Sequence, residues 1–175
     1  CLVPNLRYNS YMRTIVSANG YPISVDDGDY GWLSLFRWRV YWRGPSQSYA
    51  VTKMNNKTIA MHRLLLSCED GKVTDHIDGR GLNNCRANLR MATHAQNMYN
   101  RKIHKNNRAG FKGVNLEPRR GMKPWRASIT INYKKYNLGR YATPEEAAMA
   151  YNRAASLAQG DFARLNRLDA TASPY

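Results

Sequence analysis

The sequence predicts an α+β protein built from two compact domains. Its 175 residues can bury one moderate core or two small ones. Aromatic and β-branched residues mark the first part of the chain, and a strand–loop–strand–helix order follows up to residue 100. Nearer the C-terminus, a strictly alternating strand precedes a helix with clear start and stop signals. These patterns predict small antiparallel sheets with a few helices attached.

The charge of the chain restricts its partners. Lys and Arg number 27 against 12 Asp and Glu, a formal net charge of +15, which disfavours an acidic metabolic enzyme and favours nucleic acid. An anionic membrane surface would attract the same charge. However, no apolar run reaches the ~18 residues of a spanning helix, and no signal peptide is evident. We therefore expect a soluble intracellular protein that is neither secreted nor bound to membranes.

The positive charge is concentrated towards the C-terminus. Between residues 101 and 141, twelve Lys and Arg residues face a single acid, Glu117, whereas all four histidines lie between positions 62 and 104. This distribution predicts that chemistry and anchoring belong to different segments. The predicted segments are a chemical domain over 1–100, a basic linker over 101–109, an anchoring domain over 110–166 and a tail over 167–175. A chain ending near Asn107 is expected to keep the first domain folded.

The first domain is predicted to begin with a β-rich region. The segments "SLFRWRVYWR" and "QSYAVTKM" flank the turn-forming "GPSQ" and predict an antiparallel hairpin, with a third strand near "KTIAM". The preceding "VDDGDYGWLSLF" predicts a short helix or turn. Three tryptophans of this region are interpreted as core residues rather than as a base-stacking platform: Trp32, Trp38 and Trp42.

A polar stretch follows that packing cannot explain. "MHRLLL" predicts the start of a helix, and "GKVTDHIDG" predicts a short strand that runs into a turn. A polar loop, a brief extended piece at "NLRM" and a helix with Thr93 as its N-cap complete the order. The glycines and asparagines of "DGRGLNN" are interpreted as turn residues that tolerate positive φ.

The residue types in this stretch suit phosphodiester hydrolysis. A strand-end Asp75–His76 pair facing an Asn from the following helix supplies hard oxygen ligands for Mg²⁺ beside a free imidazole. The imidazole can accept a proton from water near neutral pH. Three cysteines without a Cys-x-x-Cys pair do not fit a zinc site. His62 is interpreted as a structural histidine, with a direct catalytic part as the alternative.

The segment "DHIDGRGLNNCRANLRMATHAQNMYN", with "MHRLLL" upstream, resembles the HNH endonucleases of the homing type, which have a ββα-metal core. The resemblance implies that His76 is the general base and that Asp75 and Asn97 bind a divalent metal, Mg²⁺ first and Mn²⁺ second. It also implies that Asn88 orients the base through the second imidazole nitrogen. Arg90 either clamps a phosphate or braces the loop.

This resemblance implies a site-recognising DNA endonuclease whose products carry a 5′ phosphate and a 3′ hydroxyl. Its substrate would be double-stranded DNA, in the cytoplasm or nucleoid or with phage or organelle DNA. One site per chain is compatible with nicking by a monomer or with a double-strand cut by a homodimer. The alternative is a non-catalytic DNA-binding regulator that keeps a degenerate nuclease fold, although such a regulator has no need to retain all four site residues.

The C-terminal segment carries independent signs of DNA binding. "PWRASITI" alternates strictly, and "TPEEAAMAYNRAASLAQG" reads as a helix with Thr143 at its N-cap and an apolar stripe that would cover a small sheet. Together with "GFKGV" and "GDFARLN", these segments resemble an AP2 DNA-binding domain, three antiparallel strands backed by one helix. The resemblance implies these DNA contacts: Lys112, Asn115, Arg126, Ser128, Thr130, Lys135 and Asn137. Two linker lysines, Lys102 and Lys105, are predicted to hold phosphates.

Overall fold

The computed structural model describes residues 11–44, 47–68, 70–104 and 106–168, so Lys105 and Cys1 lie outside the described residues. The chain divides by its internal contacts into two units, residues 1–92 and 93–175, each with its own buried apolar cluster. The division falls before the segment 101–109 that the sequence predicts as a linker. The architecture is α+β, with several small antiparallel sheets and few helices.

The first unit opens with a hairpin that the sequence analysis did not predict. Strands β1 (Met12–Val16) and β2 (Pro22–Asp26) pair antiparallel, and helix α1 (Asp27–Leu33) follows directly. On β1 only Ile15 is buried, so its sequence lacks the alternation that marks a half-buried strand. β2 contributes two fully buried side chains, Ile23 and Val25, to the core of the unit.

A three-stranded antiparallel meander confirms the predicted hairpin and third strand. It consists of β3 (Arg39–Trp42), β4 (Ser48–Met54) and β5 (Lys57–Ala60), in that spatial order. Asn55 and Asn56 turn β4 into β5 with positive φ values of 48° and 59°, the conformation that a tight two-residue hairpin turn requires.

The predicted tryptophan core is correct for one residue of three. Trp38 is buried among the core residues, and its Nε1 donates to the carbonyl of Leu33 at 2.8 Å. Trp32 and Trp42 keep 37% and 47% of their surface exposed, so their assignment to the core was wrong. Both pack edge-on against another ring, Trp32 against Phe36 and Trp42 against Tyr21.

The remainder of the first unit presents the polar stretch. Helix α2 (Met61–Leu65) buries Met61 and Leu65, and β6 (Lys72–His76) pairs with β7 (Leu89–Thr93) in a two-stranded sheet. A 3₁₀ turn over Arg86–Asn88 leads into β7. The predicted strand, loop and strand are thus confirmed, and the loop between them carries most of the polar residues.

The second unit begins with helix α3 (His94–Tyr99). The hydroxyl of Thr93 accepts from the Gln96 N–H, and the Gln96 side chain accepts from the Thr93 N–H, which confirms Thr93 as the N-cap. At the other end, the Lys112 ammonium donates to the carbonyls of Tyr99 and Arg101. The contact to Tyr99 satisfies a carbonyl that the end of the helix leaves unpaired.

A second three-stranded antiparallel sheet confirms the strand predicted from "PWRASITI", but burial does not alternate strictly along it, because Ser128 is buried together with Ala127 and Ile129. β8 (Val114–Leu116), β9 (Trp125–Ile131) and β10 (Lys134–Tyr141) lie with β9 in the centre. Val114, Ala127 and Ile129 are buried beneath helix α4 (Pro144–Gln159).

Close packing between α4 and the sheet depends on one glycine. Gly113 has φ of +76°, and a Cβ there would lie 2.1 Å from a ring carbon of Tyr151 and 2.7 Å from the Ser128 carbonyl oxygen. Any side chain at this position would therefore push α4 away from β9. The helix starts as predicted, with the Thr143 hydroxyl accepting from the Glu146 N–H and Pro144 in the first turn.

Truncation tests where the boundary between the units lies. The Tyr99 hydroxyl donates to Asn132 and accepts from its N–H, while the Arg164 guanidinium reaches the Asn100 carbonyl. A chain ending at Asn107 loses these partners and the Lys112 contacts, so we expect α3 to lose its order. Amide hydrogen exchange over residues 94–99 should accelerate to nearly unprotected rates in that chain. A chain ending at Leu168 is the control and should keep full protection; equal protection in both truncated chains would contradict this boundary.

Candidate functional site

His76 ends β6 at a tight turn. Its ring is buried, its carbonyl accepts from the Gly79 N–H at 2.8 Å, and the Ile77 N–H donates to the Asn88 carbonyl at 2.9 Å. The strand thus stops at His76, and the chain is redirected into the polar loop. Burial lowers the pKa of His76. The Asn84 contact and the charges of Asp78 and Asp75 raise that pKa, but burial outweighs them. The ring is therefore neutral near pH 7, the state in which an imidazole can accept a proton.

The side chain that contacts the imidazole is Asn84. With the amide oxygen assigned towards the ring, Asn84 Oδ1 lies 3.4 Å from His76 Nε2. A carboxamide oxygen only accepts, so Nε2 carries the proton of the neutral ring and Nδ1 keeps a lone pair. Asn84 is fully buried, and its own N–H donates to the Ser24 carbonyl at 2.8 Å. A long-range hydrogen bond to β2 therefore fixes the backbone of the residue that contacts His76.

The predicted orienting residue, Asn88, instead holds the turn. Its amide group donates to Asp78 Oδ1 at 3.0 Å and to the Asn83 carbonyl at 2.8 Å, and its oxygen accepts from the Asp78 N–H. Burial alone would raise the pKa of Asp78, but hydrogen bonds from Asn83, Arg80 and Asn88 outweigh it and lower that pKa. Asn88 therefore lies beside the ionised carboxylate of Asp78, and it is Asn84 that contacts His76.

The loop is also tied to the N-terminal region. The Arg86 guanidinium donates to both carboxylate oxygens of Asp29, at 2.7 and 2.8 Å, and the Arg86 N–H donates to Asp26 at 2.7 Å. The hydrogen bond from Arg86 outweighs the effect of burial and lowers the pKa of Asp29. The unpredicted first hairpin and α1 thus anchor the loop that carries Asn84.

Close backbone approach, rather than positive φ, explains one predicted turn glycine. A Cβ on Gly81 would lie 2.0 Å from the Ser48 carbonyl oxygen and 2.9 Å from a ring carbon of Tyr49. Gly79, by contrast, has φ of +70°, as the turn prediction requires. The loop consequently lies directly on β4 beside Tyr49.

Two rings flank His76, those of His62 and Tyr49, and no role was predicted for Tyr49 from the sequence. The ring of His62 is 5.0 Å from that of His76, edge to face, and Tyr49 lies 5.3 Å from His62 and 6.2 Å from His76. Burial, followed by the charges of His76 and Arg63, lowers the pKa of His62 to about 3. Among the described residues, His62 Nδ1 has no hydrogen-bond partner. The position of His62 at the start of α2, followed by three leucines, gave no signal that it would touch His76.

Acid should destabilise the first unit through His62. Its pKa is about 3 when folded against ~6.5 when unfolded, so below pH 6.5 the unfolded chain binds a proton that the folded chain rejects. The free energy of unfolding should therefore fall by about 1.4 kcal/mol per pH unit between pH 6.5 and 3. Urea titrations at pH 7 and 4.5, followed by tryptophan fluorescence, measure this fall. His62→Phe should flatten the dependence, whereas replacement of the exposed His94 should not.

Asp75 forms an ion pair with Arg90. Arg90 Nε and a terminal guanidinium nitrogen lie 2.9 and 2.8 Å from Asp75 Oδ2, and both side chains are largely buried. Of the two roles that the sequence left open for Arg90, bracing is the one that these contacts support. One oxygen of the buried Asp75 carboxylate therefore already accepts hydrogen bonds from the Arg90 guanidinium.

The donor chemistry near Asp75 suits a hard divalent ion. Among the described residues, no group of three His, Cys, Asp or Glu side chains lies close enough together to hold a metal ion. Mg²⁺ needs only one or two protein oxygens because it retains water, and a buried carboxylate balanced by a guanidinium is compatible with it. Asn97 lies exposed on α3 in the second unit.

The predicted DNA contacts in the second unit differ in exposure. Four of them are exposed on the sheet: Asn115, Thr130, Lys135 and Asn137. Ser128 is buried and Lys112 caps α3, so neither lies on the exposed surface that was expected. Burial lowers the pKa of Lys112 to about 8. Lys102 is exposed after α3.

Arg126 lies in a compact charge cluster. Its guanidinium donates to both oxygens of Glu117 at 3.3 Å, and Arg140 donates to Glu117 Oε2 at 3.1 Å and to its carbonyl at 2.8 Å. The single acid of the basic segment thus holds two arginines on adjacent strands. The sequence gave Glu117 no role, since its partners lie 9 and 23 residues away.

Comparisons with known proteins identify the family. The chain is 32% identical over 143 residues to the Uncharacterized HNH endonuclease L560 of Acanthamoeba polyphaga mimivirus, covering 78% of this chain and 70% of the relative. It is 37% identical over 94 residues to Protein 3.8 of Escherichia phage T7, covering 54% of this chain and 75% of that protein. No family model matches the chain, and no solved structure matches it.

None of the helices in the described part of the chain has the length and apolar character needed to span a membrane. The buried His76, Asn84 and the neighbouring Asp75 lie in the first unit, and of the two relatives the mimivirus protein carries a family name. At 32% identity over 70% of that relative, the similarity is sufficient to assign the family. The chain belongs to the HNH endonuclease family.

Proposed function

We propose that this chain is a metal-dependent DNA endonuclease of the homing type. The observation that carries the proposal is the buried, neutral His76, whose Nε2 faces Asn84 and whose neighbour in the chain is Asp75. An imidazole held in one tautomer is a suitable general base. Membership of the HNH endonuclease family supports the same reaction.

In this proposal the protein's own residues supply the base and the ligands. His76 accepts a proton from water at Nδ1 as that water attacks the phosphorus. The bond from phosphorus to the 3′ oxygen breaks, and the departing oxygen takes a proton from solvent water. By the sequence resemblance, Asp75 and Asn97 would hold Mg²⁺ or Mn²⁺. When bound, the ion neutralises charge on the phosphate and the departing oxygen. The products carry a 5′ phosphate and a 3′ hydroxyl.

The second unit is proposed to anchor double-stranded DNA in the manner of an AP2 domain. A three-stranded sheet with α4 on one face leaves the other face open, and Asn115, Thr130, Lys135 and Asn137 are exposed there. Arg126 is held beside Asn137 by Glu117, so it is pre-organised for contact with a base edge. The mimivirus and phage origins of the relatives support action on viral or phage DNA within a host cell.

Arg126 and Lys102 should contribute to binding in different ways. Arg126→Ala removes a fork that can read a base edge, so we expect it to lose ~1 to 3 kcal/mol of preference for the cognate site. Lys102→Gln removes one phosphate contact, which should weaken binding equally on all duplexes and lower the salt slope by about 0.9. Salt titrations of both variants on cognate and scrambled duplexes measure this. Loss of selectivity in Lys102→Gln, with uniform weakening in Arg126→Ala, would reverse the two assignments.

The end groups of the product test the reaction class. Wild-type protein is incubated with plasmid and Mg²⁺, and the nicked product is treated with DNA ligase, which joins a 5′ phosphate to a 3′ hydroxyl. We expect ligase to reseal nicks and phosphatase pretreatment to prevent resealing. Nicks that ligase reseals only after the 3′ phosphate is removed and the 5′ hydroxyl is phosphorylated would rule out the proposed bond cleavage.

A further inference from the structure

The first unit contains a long segment without acidic residues. From Tyr30 to Cys68 there is no Asp or Glu, whereas six basic residues occur: Arg37, Arg39, Arg43, Lys53, Lys57 and Arg63. This segment includes the whole β3–β4–β5 sheet. Within the described residues, none of the six forms an ion pair. The sheet therefore carries positive charge that no described acid neutralises.

Strand register places part of this charge on a single face. Tyr41 pairs with Tyr49 and Arg39 pairs with Val51, so these side chains point to the same side of the sheet. Lys53, two residues after Val51, points to that side as well. We call this side the outer face because the opposite side is buried in the core: Trp38, Val40, Ala50 and Thr52. Arg39, Tyr41 and Lys53 are exposed. Arg43 is exposed as well, and its N–H donates to the Gln47 carbonyl, which extends the β3–β4 hairpin.

The outer face is continuous with the surroundings of His76. Tyr49 belongs to this face, and its ring lies 6.2 Å from that of His76. Lys53 is four residues from Tyr49 along β4, or about 13 Å at the rise of a β-strand. Together with the 6.2 Å between the Tyr49 and His76 rings, this places Lys53 within about 19 Å of His76, or about six nucleotides at ~3.4 Å of helix axis per phosphate of one strand.

We propose that the outer face is a DNA-contact surface that holds the phosphates flanking the scissile bond through Arg39, Arg43 and Lys53. The position of this surface along the substrate rests on the proposed nuclease function. The choice of DNA as its ligand rests on the positive charge of the sheet and on the continuity of the outer face with the surroundings of His76. Contacts of this surface with phosphates would not depend on the base sequence, and they would lie beside His76. The cut strand is thereby held by the first unit itself, in addition to the DNA anchor proposed for the second unit.

A matched pair of lysines in one hairpin tests this surface. Lys53 and Lys57 are both exposed on adjacent strands, but Lys57 pairs with Met54 and points to the side opposite the outer face. The full chain is titrated with a 30-bp duplex in EDTA, which stops metal-dependent cleavage, over a range of KCl concentrations. Lys53→Gln should reduce the slope of log K against log salt by about 0.9, and Arg39→Gln with Lys53→Gln by about 1.8. Lys57→Gln should leave the slope at the wild-type value.

Several results would overturn the proposal. Equal salt slopes for Lys53→Gln and Lys57→Gln would show that the outer face does not contact DNA. Vesicles of phosphatidylserine form a second arm: if Lys53→Gln weakens vesicle binding as much as DNA binding, the face is a membrane surface instead. Wild-type plasmid cleavage with Mg²⁺ is measured in parallel. Cleavage without a slope difference overturns the surface alone, whereas a slope difference without cleavage supports the surface and counts against the nuclease.

Discussion

A His76→Ala protein should cleave DNA between about 10² and 10⁴ times more slowly than the wild type, because the proposed general base is removed. Its affinity for DNA should stay within a few-fold, since the proposed phosphate and base contacts lie on other side chains. Single-turnover rates on a labelled duplex, with protein in excess, separate the two effects. Wild-type rates in His76→Ala would contradict the assignment of the base.

Asn84 and Asn88 provide a matched comparison for the same site. Asn84→Ala removes the contact to His76 Nε2, so we expect a loss of rate with little change in DNA affinity. Asn88→Ala instead removes the partner of Asp78 and should mainly destabilise the turn. If Asn88→Ala lost rate at unchanged stability while Asn84→Ala stayed active, the orienting role would return to Asn88.

Asp75→Ala should reduce cleavage at least as much as His76→Ala and should also destabilise the first unit. Removing the carboxylate leaves the largely buried Arg90 without this partner, and breaking such a pair typically costs about 3 to 5 kcal/mol. The change would also remove the proposed metal ligand. Urea unfolding and single-turnover cleavage, measured on the same preparations, report the two losses separately.

A double variant separates the metal role of Asp75 from its structural role. Asp75→Ala with Arg90→Leu removes both charges, so much of the lost stability should return. Cleavage should not return, because no carboxylate is left to hold the ion. Recovery of cleavage together with stability would show that Asp75 serves only to satisfy Arg90.

Local signals in the sequence were sufficient for much of the fold. The β3–β4–β5 meander, the Thr93 cap of α3 and the α4 helix each follow from residues within one short segment. Turn residues, a capping hydroxyl and alternating apolar positions act over a few residues, and the structure confirms them. The β1–β2 hairpin was missed because β1 buries only Ile15 and so lacks such a pattern.

The side-chain partners of the site depend on tertiary contacts that no local pattern encodes. Asn84 and Asn88 are four residues apart in the same polar loop, and it is Asn84, whose N–H donates to the Ser24 carbonyl of β2, that meets His76. Lys112 resembled a surface contact in sequence, yet it caps a helix that ends 13 residues earlier. Residue types could therefore be predicted for the site, but not their pairings.

The central claim is that His76 and Asp75 form a metal-dependent site that hydrolyses DNA. Conversion of supercoiled plasmid to nicked or linear product tests it most directly, with wild type and His76→Ala compared at equal occupancy of DNA in Mg²⁺ and in EDTA. We predict product for the wild type in Mg²⁺ and little or none in EDTA or with His76→Ala. Cleavage that proceeds equally in all of these reactions, or in none of them, would contradict the claim.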